Sequence, residues 1–414
     1  MSVWKKRRLG VLVLVLAGIL LAGIVFSAWV LDRKGMNHWL PAYIGWLADD
    51  EPLPADGQGP LDIIFLMVDH YEPTKAANAR AWIEGYPAVA GRFTDAHGYH
   101  PRYSWFFPIE KYEINSRFVE GISSICARGF GEIEVHLHHH SDTEETLRAT
   151  LREGVRNLQR HGACITVDGE TAFGFVHGNW ALDNSVLVDG RDRCGVDNEM
   201  LVLADEGCYA DFTFPSSGSM AQPNKINAIY YAVDDPAAPK SYDEGFDVTV
   251  GTPARGDLMI FQGPLMINWS DWRHVIYPAI EDGQLQAGNP PLPFRVDKWI
   301  EAGVHVRGRP EWRFVKVFTH GASPKNWKML FDDGGFEMMF ERLVQRYNDG
   351  EAYRLHFVTA REAYNMVKAA EAGLSGDPSQ YRDYLIKPYR NTVETADGAV
   401  GEATRDPSGG QDEQ

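Results

Sequence analysis

The chain has 414 residues, 44 % hydrophobic and 12 % aromatic, enough apolar material for one large core or two ordinary ones and too much for a disordered protein. A formal charge of −17 and a pI near 5.3 exclude a surface built to hold phosphate backbones, which needs clustered Lys and Arg, so nucleic acid is not an expected partner.

At the N-terminus, Lys5 to Arg8 precede 23 uncharged and mostly apolar residues, Leu9 to Leu31. About 20 helical residues cross the hydrocarbon core of a bilayer. The reading is a short cytoplasmic segment (1–8), a transmembrane signal anchor (9–31) and an exported remainder, as the positive-inside rule requires. It predicts a single-pass protein of the inner (plasma) membrane with its main body on the periplasmic or extracytoplasmic side. The alternative is a cleaved signal peptide, although the run is longer than the usual signal-peptide core.

Residues 32–59, with "DDEPLPADGQGP", read as a linker. An α/β body follows over 60–373. Its first run, "LDIIFLMV", is typical of a strand buried on both faces, and "RYSWFFPI", "EIEVHL", "FGFVHG", "ADFTF", "FVKVFTHG" and "RLHFVTA" continue the series. Helix-like segments at 112–128, 143–161 and 335–347 alternate with them, which predicts a parallel sheet or barrel. Residues 216–310 break the rhythm with Gly, Pro and short strand-like pieces and are expected to form an insertion or small β-rich subdomain. Residues 374–414 are polar and predicted to be disordered. Cys126, Cys164, Cys194 and Cys208 are too far apart for a CxxC pattern; a bridge such as Cys194–Cys208 and four buried thiols both stay open.

Three strand ends carry chemistry. "EVHLHHHSDTEETLRATL" puts four histidines in five positions. In an extended chain His136 and His140 would lie about 13 Å apart, whereas a helical turn at His136 would bring them to about 5–6 Å, within reach of one cation. Ser141 and Glu144 form a capping-box pattern, and Leu147, Leu151, Val155 and Leu158 recur at helical spacing, so the turn is the expected geometry. "FLMVDHYEP" places Asp69, His70 and Glu72 where ligands gather in α/β folds, and "VFTHG" ends a strand on His320.

In this order, "VDHYEP", "HLHHH" and "VFTHG" resemble the polysaccharide deacetylase (NodB-homology) family, carbohydrate esterase family four, over roughly 60–373. The resemblance implies a distorted (β/α) barrel of that type carrying a β-rich insertion. It implies Asp69 as catalytic base, His136 and His140 as metal ligands and His320 as catalytic acid. The family's second Asp is replaced here by His70, which would become the third ligand and suit Zn2+; an arrangement with Asp69 as ligand and Glu72 as base stays open. The family's Arg-x-Pro-aromatic motif is missing, and "FVHGNWALDN" puts His177, Asn179 and Trp180 in its place for holding substrate. Asp211 falls where the family orients its acid histidine, and Trp180, Tyr209 and Phe212 are candidates to stack on a sugar ring. The implied function is a metal-dependent deacetylase acting on an acetylated envelope or secreted polysaccharide or oligosaccharide. The alternatives are a non-catalytic glycan-binding or assembly protein on the same fold, and a metal-dependent amidohydrolase of a small amide.

Overall fold

The run Leu61–His70 forms the first strand, β1, buried on both faces from Asp62 onward, as an interior strand of a parallel sheet must be. The computed structural model describes residues 3–49, 51, 53, 59–73, 76–188, 191–271 and 279–392. Ten further strands complete the large sheet: β2 (Tyr103–Pro108), β3 (Gly131–Leu137), β4 (Phe173–His177), β5 (Cys208–Asp211), β6 (Ile229–Ala232), β7 (Gly245–Asp247), β8 (Leu258–Phe261), β9 (Gln284–Leu285), β10 (Trp312–Thr319) and β11 (Tyr353–Val358). Their order is β9-β10-β1-β2-β3-β4-β5-β8-β6-β7. β11 lies along the first half of β1, on the edge that β2 takes over from Met67. Neighbours from β9 to β8 are parallel, and β6 and β7 add on antiparallel.

The described helices are α1 (Val3–Arg33), α2 (Leu40–Ala48), α3 (Ala76–Ala90), α4 (Tyr112–Cys126), α5 (Glu144–Gln159), α6 (Glu199–Asp205), α7 (Pro293–Glu301), α8 (Pro324–Leu330), α9 (Gly335–Tyr347) and α10 (Ala360–Glu371). Side chains alternate across the sheet. Phe65, Met67, Trp105, Val135 and Phe175 join Trp82 of α3, Ile122 of α4 and Leu151 of α5 in one core. Leu66, Val68, Phe106, Val176 and Phe318 face the other way and pack with Met366 and Val367 of α10. Because α10 contacts both β1 and β4, the sheet curls partly around it.

The fold is therefore α/β, but the sheet is open, which corrects the expected barrel. Its ends, β9 and β7, do not pair with each other. Residues 216–310, read as an insertion or small β-rich subdomain, add β8, β6 and β7 to one end of the sheet and the two-residue β9 to the other. Two other expectations change. Within 32–59, residues 40–48 form α2, and Met36, Trp39 and Tyr43 pack on Ile226, Leu265 and Met266, with Trp39 Nε1 donating to the Ser217 carbonyl at 3.1 Å. Residues 374–392, expected to be disordered, are docked: Arg382 pairs with Asp95 and Glu362, and Tyr389 is buried. Residues 393–414 and several linker positions lie outside the described residues.

Within α1, Leu12–Arg33 has a mean hydropathy of 2.6 and is long enough to cross a bilayer, a property that signal sequences share. All four cysteines are free and buried, so the Cys194–Cys208 bridge is not formed.

Beneath α10 lies a polar layer. Glu132 accepts from Arg361 Nε at 2.8 Å. Glu134 accepts from Gly174 N–H at 2.6 Å, Tyr209 at 2.8 Å and Tyr389 at 3.1 Å. Burial, with Glu132 beside it, pushes the Glu134 carboxyl up to about 8 in spite of these donors. An acid with a higher pKa folded than unfolded takes up a proton on folding, so its contribution to stability falls as pH rises through that interval. Glu134→Gln is expected to lessen the decline of Tm between about pH 4.5 and about pH 8. A slope identical to that of the parent chain would contradict this.

Candidate functional site

β3 ends at Leu137, and the chain has no helical turn until Thr143 caps α5, with its side chain and that of Thr146 forming the capping box expected of Ser141 and Glu144. In such an extended segment positions i and i+2 are neighbours on one face, whereas i and i+4 share that face about 13 Å apart. His136 and His138 accordingly lie side by side, ring centroids 4.6 Å apart, whereas His140 is exposed and belongs to none of the described groups able to hold a metal. Glycine at 178, the residue after β4, makes room for this: a Cβ there would fall 2.4 Å from the His138 ring.

Glu72, two residues beyond β1, completes the group. Its Oε1 is 3.4 Å from His136 Nε2 and 3.4 Å from His138 Nε2. Donors about 2.0–2.1 Å from one tetrahedral ion sit about 3.3–3.4 Å from each other. The far ring nitrogens are held as well: His136 Nδ1 lies 3.0 Å from the Val176 carbonyl and His138 Nδ1 2.8 Å from Glu110 Oε1. Both acceptors suit a proton on Nδ1, which would leave each Nε2 to an ion placed beside Glu72, the support that metal-bound histidines use. His136 Nε2 is buried without a hydrogen-bond partner. Two imidazoles and a carboxylate, with room for one more ligand, are a donor set that fits a catalytic zinc-class ion.

Without an ion, the Glu72 carboxylate and the imidazoles hold one another through protons that a bound ion would displace. Burial alone would raise Glu72, but His136 and His138 outweigh it and hold the carboxylate well below its usual range, while Lys111 Nζ donates to Oε2 at 3.0 Å. Burial lowers His136. At His138 burial also works downward, yet Glu110 and Glu72 carry the ring up to about 9.

His70 leans into the same space, 4.8 Å from the His136 ring and 4.5 Å from His320, with Trp180 stacked on it at 5.0 Å. Burial, His320 and His136 push His70 well below its ordinary range, and burial lowers His320, so both rings are neutral at pH 7. Trp180 holds a left-handed φ of 59°, a conformation that persists in side-chain-bearing residues only where surroundings enforce it.

Other sequence candidates are elsewhere. Asp69, adjacent to His70 on a strand, points to the opposite face: Oδ1 accepts the Gly321 N–H at 2.7 Å, and Oδ2 lies under the position a Gly321 Cβ would take, beside Trp82. Burial pushes its carboxyl up to about 8. Asp211 is turned to Thr213, accepting its hydroxyl at 2.6 Å, with the buried Lys316 ammonium as its charged neighbour; the carboxylate acting on His320 is Glu72. Tyr209 is buried against Glu134, and Phe212 packs in the α10 core, so neither is available to a sugar. Asn179 spends its amide on the carbonyls of His139 and Arg193. The grouping of Glu72 with His136 and His138, and Glu110 behind His138, escaped the sequence reading, although the extended spacing of "HLHHH" was a signal for His138.

Two more groups exist among the described residues. His139, His177, Cys194 and Glu199 form a buried cluster that could hold a metal ion. His97, His356 and Asp377 meet near the start of β1, but the Arg354 guanidinium, 3.2 Å from Asp377, already serves that carboxylate.

No family model matches the chain, and no curated protein matches it. Among solved structures, a provisionally named polysaccharide deacetylase from Mycobacterium smegmatis is 13 % identical, with 79 % of this chain and 97 % of that one covered and a TM-score of 0.38. The 4-alpha-glucanotransferase of Thermococcus litoralis is 12 % identical over 72 % of this chain and 39 % of its own, with a TM-score of 0.36. Superpositions this loose bear on neither fold nor activity, and the chain is described by its own geometry.

Proposed function

We propose that this chain is a metal-dependent hydrolase whose ion is held by Glu72, His136 and His138, and that it removes acetyl groups from a carbohydrate on the exported side of the membrane to which α1 anchors it. One observation carries the hydrolytic reading: two imidazole Nε2 atoms stand 3.4 Å from a single carboxylate oxygen, each with its Nδ1 held from behind. The acetylated glycan comes from the resemblance of the strand-end motifs, from which the His136–His140 pair has dropped out.

When bound, such an ion polarises a carbonyl and lowers the pKa of water toward about 7. The chain's own residues supply the rest. His320, neutral and half-buried at the mouth, accepts a proton from the attacking water and returns it to the departing group, a cycle open only to an imidazole that starts unprotonated. His70 packs against His320 and His136 with Trp180 stacked on it, an apolar cover for one side of the group. Glu110 keeps His138 in the tautomer whose Nε2 can bind. Glu110→Gln is expected to weaken zinc affinity by about 10–100-fold with Tm little changed; unchanged affinity in competitive chelator titrations would remove Glu110 from the account.

A glycan-binding protein without catalysis has one observation in its favour, the absence of Asp69 from the mouth. Acetate release from a panel of acetylated oligosaccharides decides: metal-dependent release supports the hydrolase, and tight binding without release supports the other.

A further inference from the structure

One residue past His138 the chain turns a donor the other way. His139, His177 at the end of β4, Cys194 in the loop that follows and Glu199 in the first turn of α6 converge, their ligand atoms within 4.8 Å of one another and all four side chains buried. We propose that this is a second, structural metal site that takes a zinc-class ion through His139, Cys194 and Glu199, with His177 orienting the carboxylate. It is separate from the mouth and does not depend on what the mouth does.

The two oxygens of Glu199 face different partners: Oε1 lies 2.9 Å from His139 Nε2 and Oε2 3.3 Å from Cys194 Sγ. Behind His139, Asp142 Oδ2 stands 3.2 Å from Nδ1, an ion-pair contact on the side of the ring away from Glu199. A thiolate, an imidazole and a carboxylate select zinc over magnesium or calcium, which take oxygen alone. His177 plays a different part. Its Nδ1 accepts the N–H groups of Asn179 and Ala181 at 3.1 and 3.3 Å, which leaves the ring proton on Nε2. That buried atom has no hydrogen-bond partner and faces Glu199 Oε1 from 3.8 Å. Binding releases the thiol proton, and any proton on His139, to solvent.

The site accounts for the loop that carries Cys194. Among the described residues of 178–198, regular structure amounts to a 3-10 turn at Leu182–Asn184 and a two-residue pairing of Leu187–Val188 with Arg191–Asp192, and Trp180, Asp183 and Asn184 all have left-handed φ. Such conformations need over-determination from their surroundings. An ion joining Cys194 and Glu199 to His139, just past β3, provides it, and so holds Trp180 against His70. The rival account is a buried His139–Glu199 ion pair with a thiol beside it, which needs no metal.

Cobalt(II) separates the two, because the mouth contains no sulfur. The detergent-solubilised full chain, stripped and reloaded with cobalt, is expected to bind two ions and to show a near-ultraviolet thiolate-to-cobalt charge-transfer band. Glu72→Gln is expected to bind one ion and keep the band; Cys194→Ala is expected to lose the band and keep the ion at the mouth. No band in the parent chain, or a band that survives in Cys194→Ala, would overturn the proposal. If Cys194→Ala does not fold, the band and the stoichiometry of the parent chain and of Glu72→Gln still decide.

Discussion

His138→Ala is expected to lower metal-dependent turnover at least about 100-fold and to abolish metal binding at the mouth, because removing a ligand costs more than removing the group behind one. His140→Ala, at an exposed position outside the group, is expected to change either quantity by no more than about twofold. The pair discriminates between two geometries for one segment. A helical turn at His136 would make His140 the partner and His138 a bystander, and the extended chain reverses those roles. Isotherms for metal binding and initial rates on the two variants read the difference, and Tm measured alongside excludes unfolding as its cause. A His140→Ala chain that loses its metal while His138→Ala keeps it would return the site to the spacing that the sequence suggested.

The second large effect is on stability. Arg361→Leu is expected to cost about 3–5 kcal/mol, because it leaves Glu132 buried without its cation. The guanidinium has further work: it donates at 2.8 Å to Asp383 and to the Ile386 carbonyl, and thereby ties residues 382–386 to α10. The double change Glu132→Leu and Arg361→Leu is expected to recover much of the loss, since replacing both members of a buried pair with apolar residues is often close to neutral. Denaturant unfolding of both variants measures it; a single change costing under about 1 kcal/mol would show that Glu132 finds another partner or protonates at little cost.

The parts of this fold legible in the sequence are those where one-dimensional pattern and burial coincide. "LDIIFLMV", "EIEVHL" and "RFVKVFTHG" became β1, β3 and β10 because strands buried on both faces need uninterrupted apolar runs. The helical repeat of Leu147, Leu151, Val155 and Leu158 became the buried face of α5. What escaped depends on distant residues. Residues 374–392 look polar and unstructured, yet Arg382 meets Asp95 and Glu362, and Tyr389 reaches Glu134 on β3, partners more than 200 positions away in two of the three cases. α2 is too short for a periodicity to stand out, and its segment is fixed by Trp39 and Tyr43 against the 216–310 region.

At the site, strand-end position identified His70, His136 and His320 as neighbours, since β1, β3 and β10 deliver them to one edge of the sheet. The face each side chain takes was harder to read. Asp69 and His70 are consecutive on one strand, and alternation sends them apart. Glu72 joins the group only because the chain after β1 returns it to His136 and His138. Cys194 and Glu199 reach His139 through a loop without a repeating pattern.

Crystals grown with zinc and measured across the zinc absorption edge test the central claim most directly. An anomalous peak about 2 Å from Nε2 of both His136 and His138 and from a carboxylate oxygen of Glu72 is the predicted result. A map with no peak at that position, or with the ion carried by His140 instead, would contradict it.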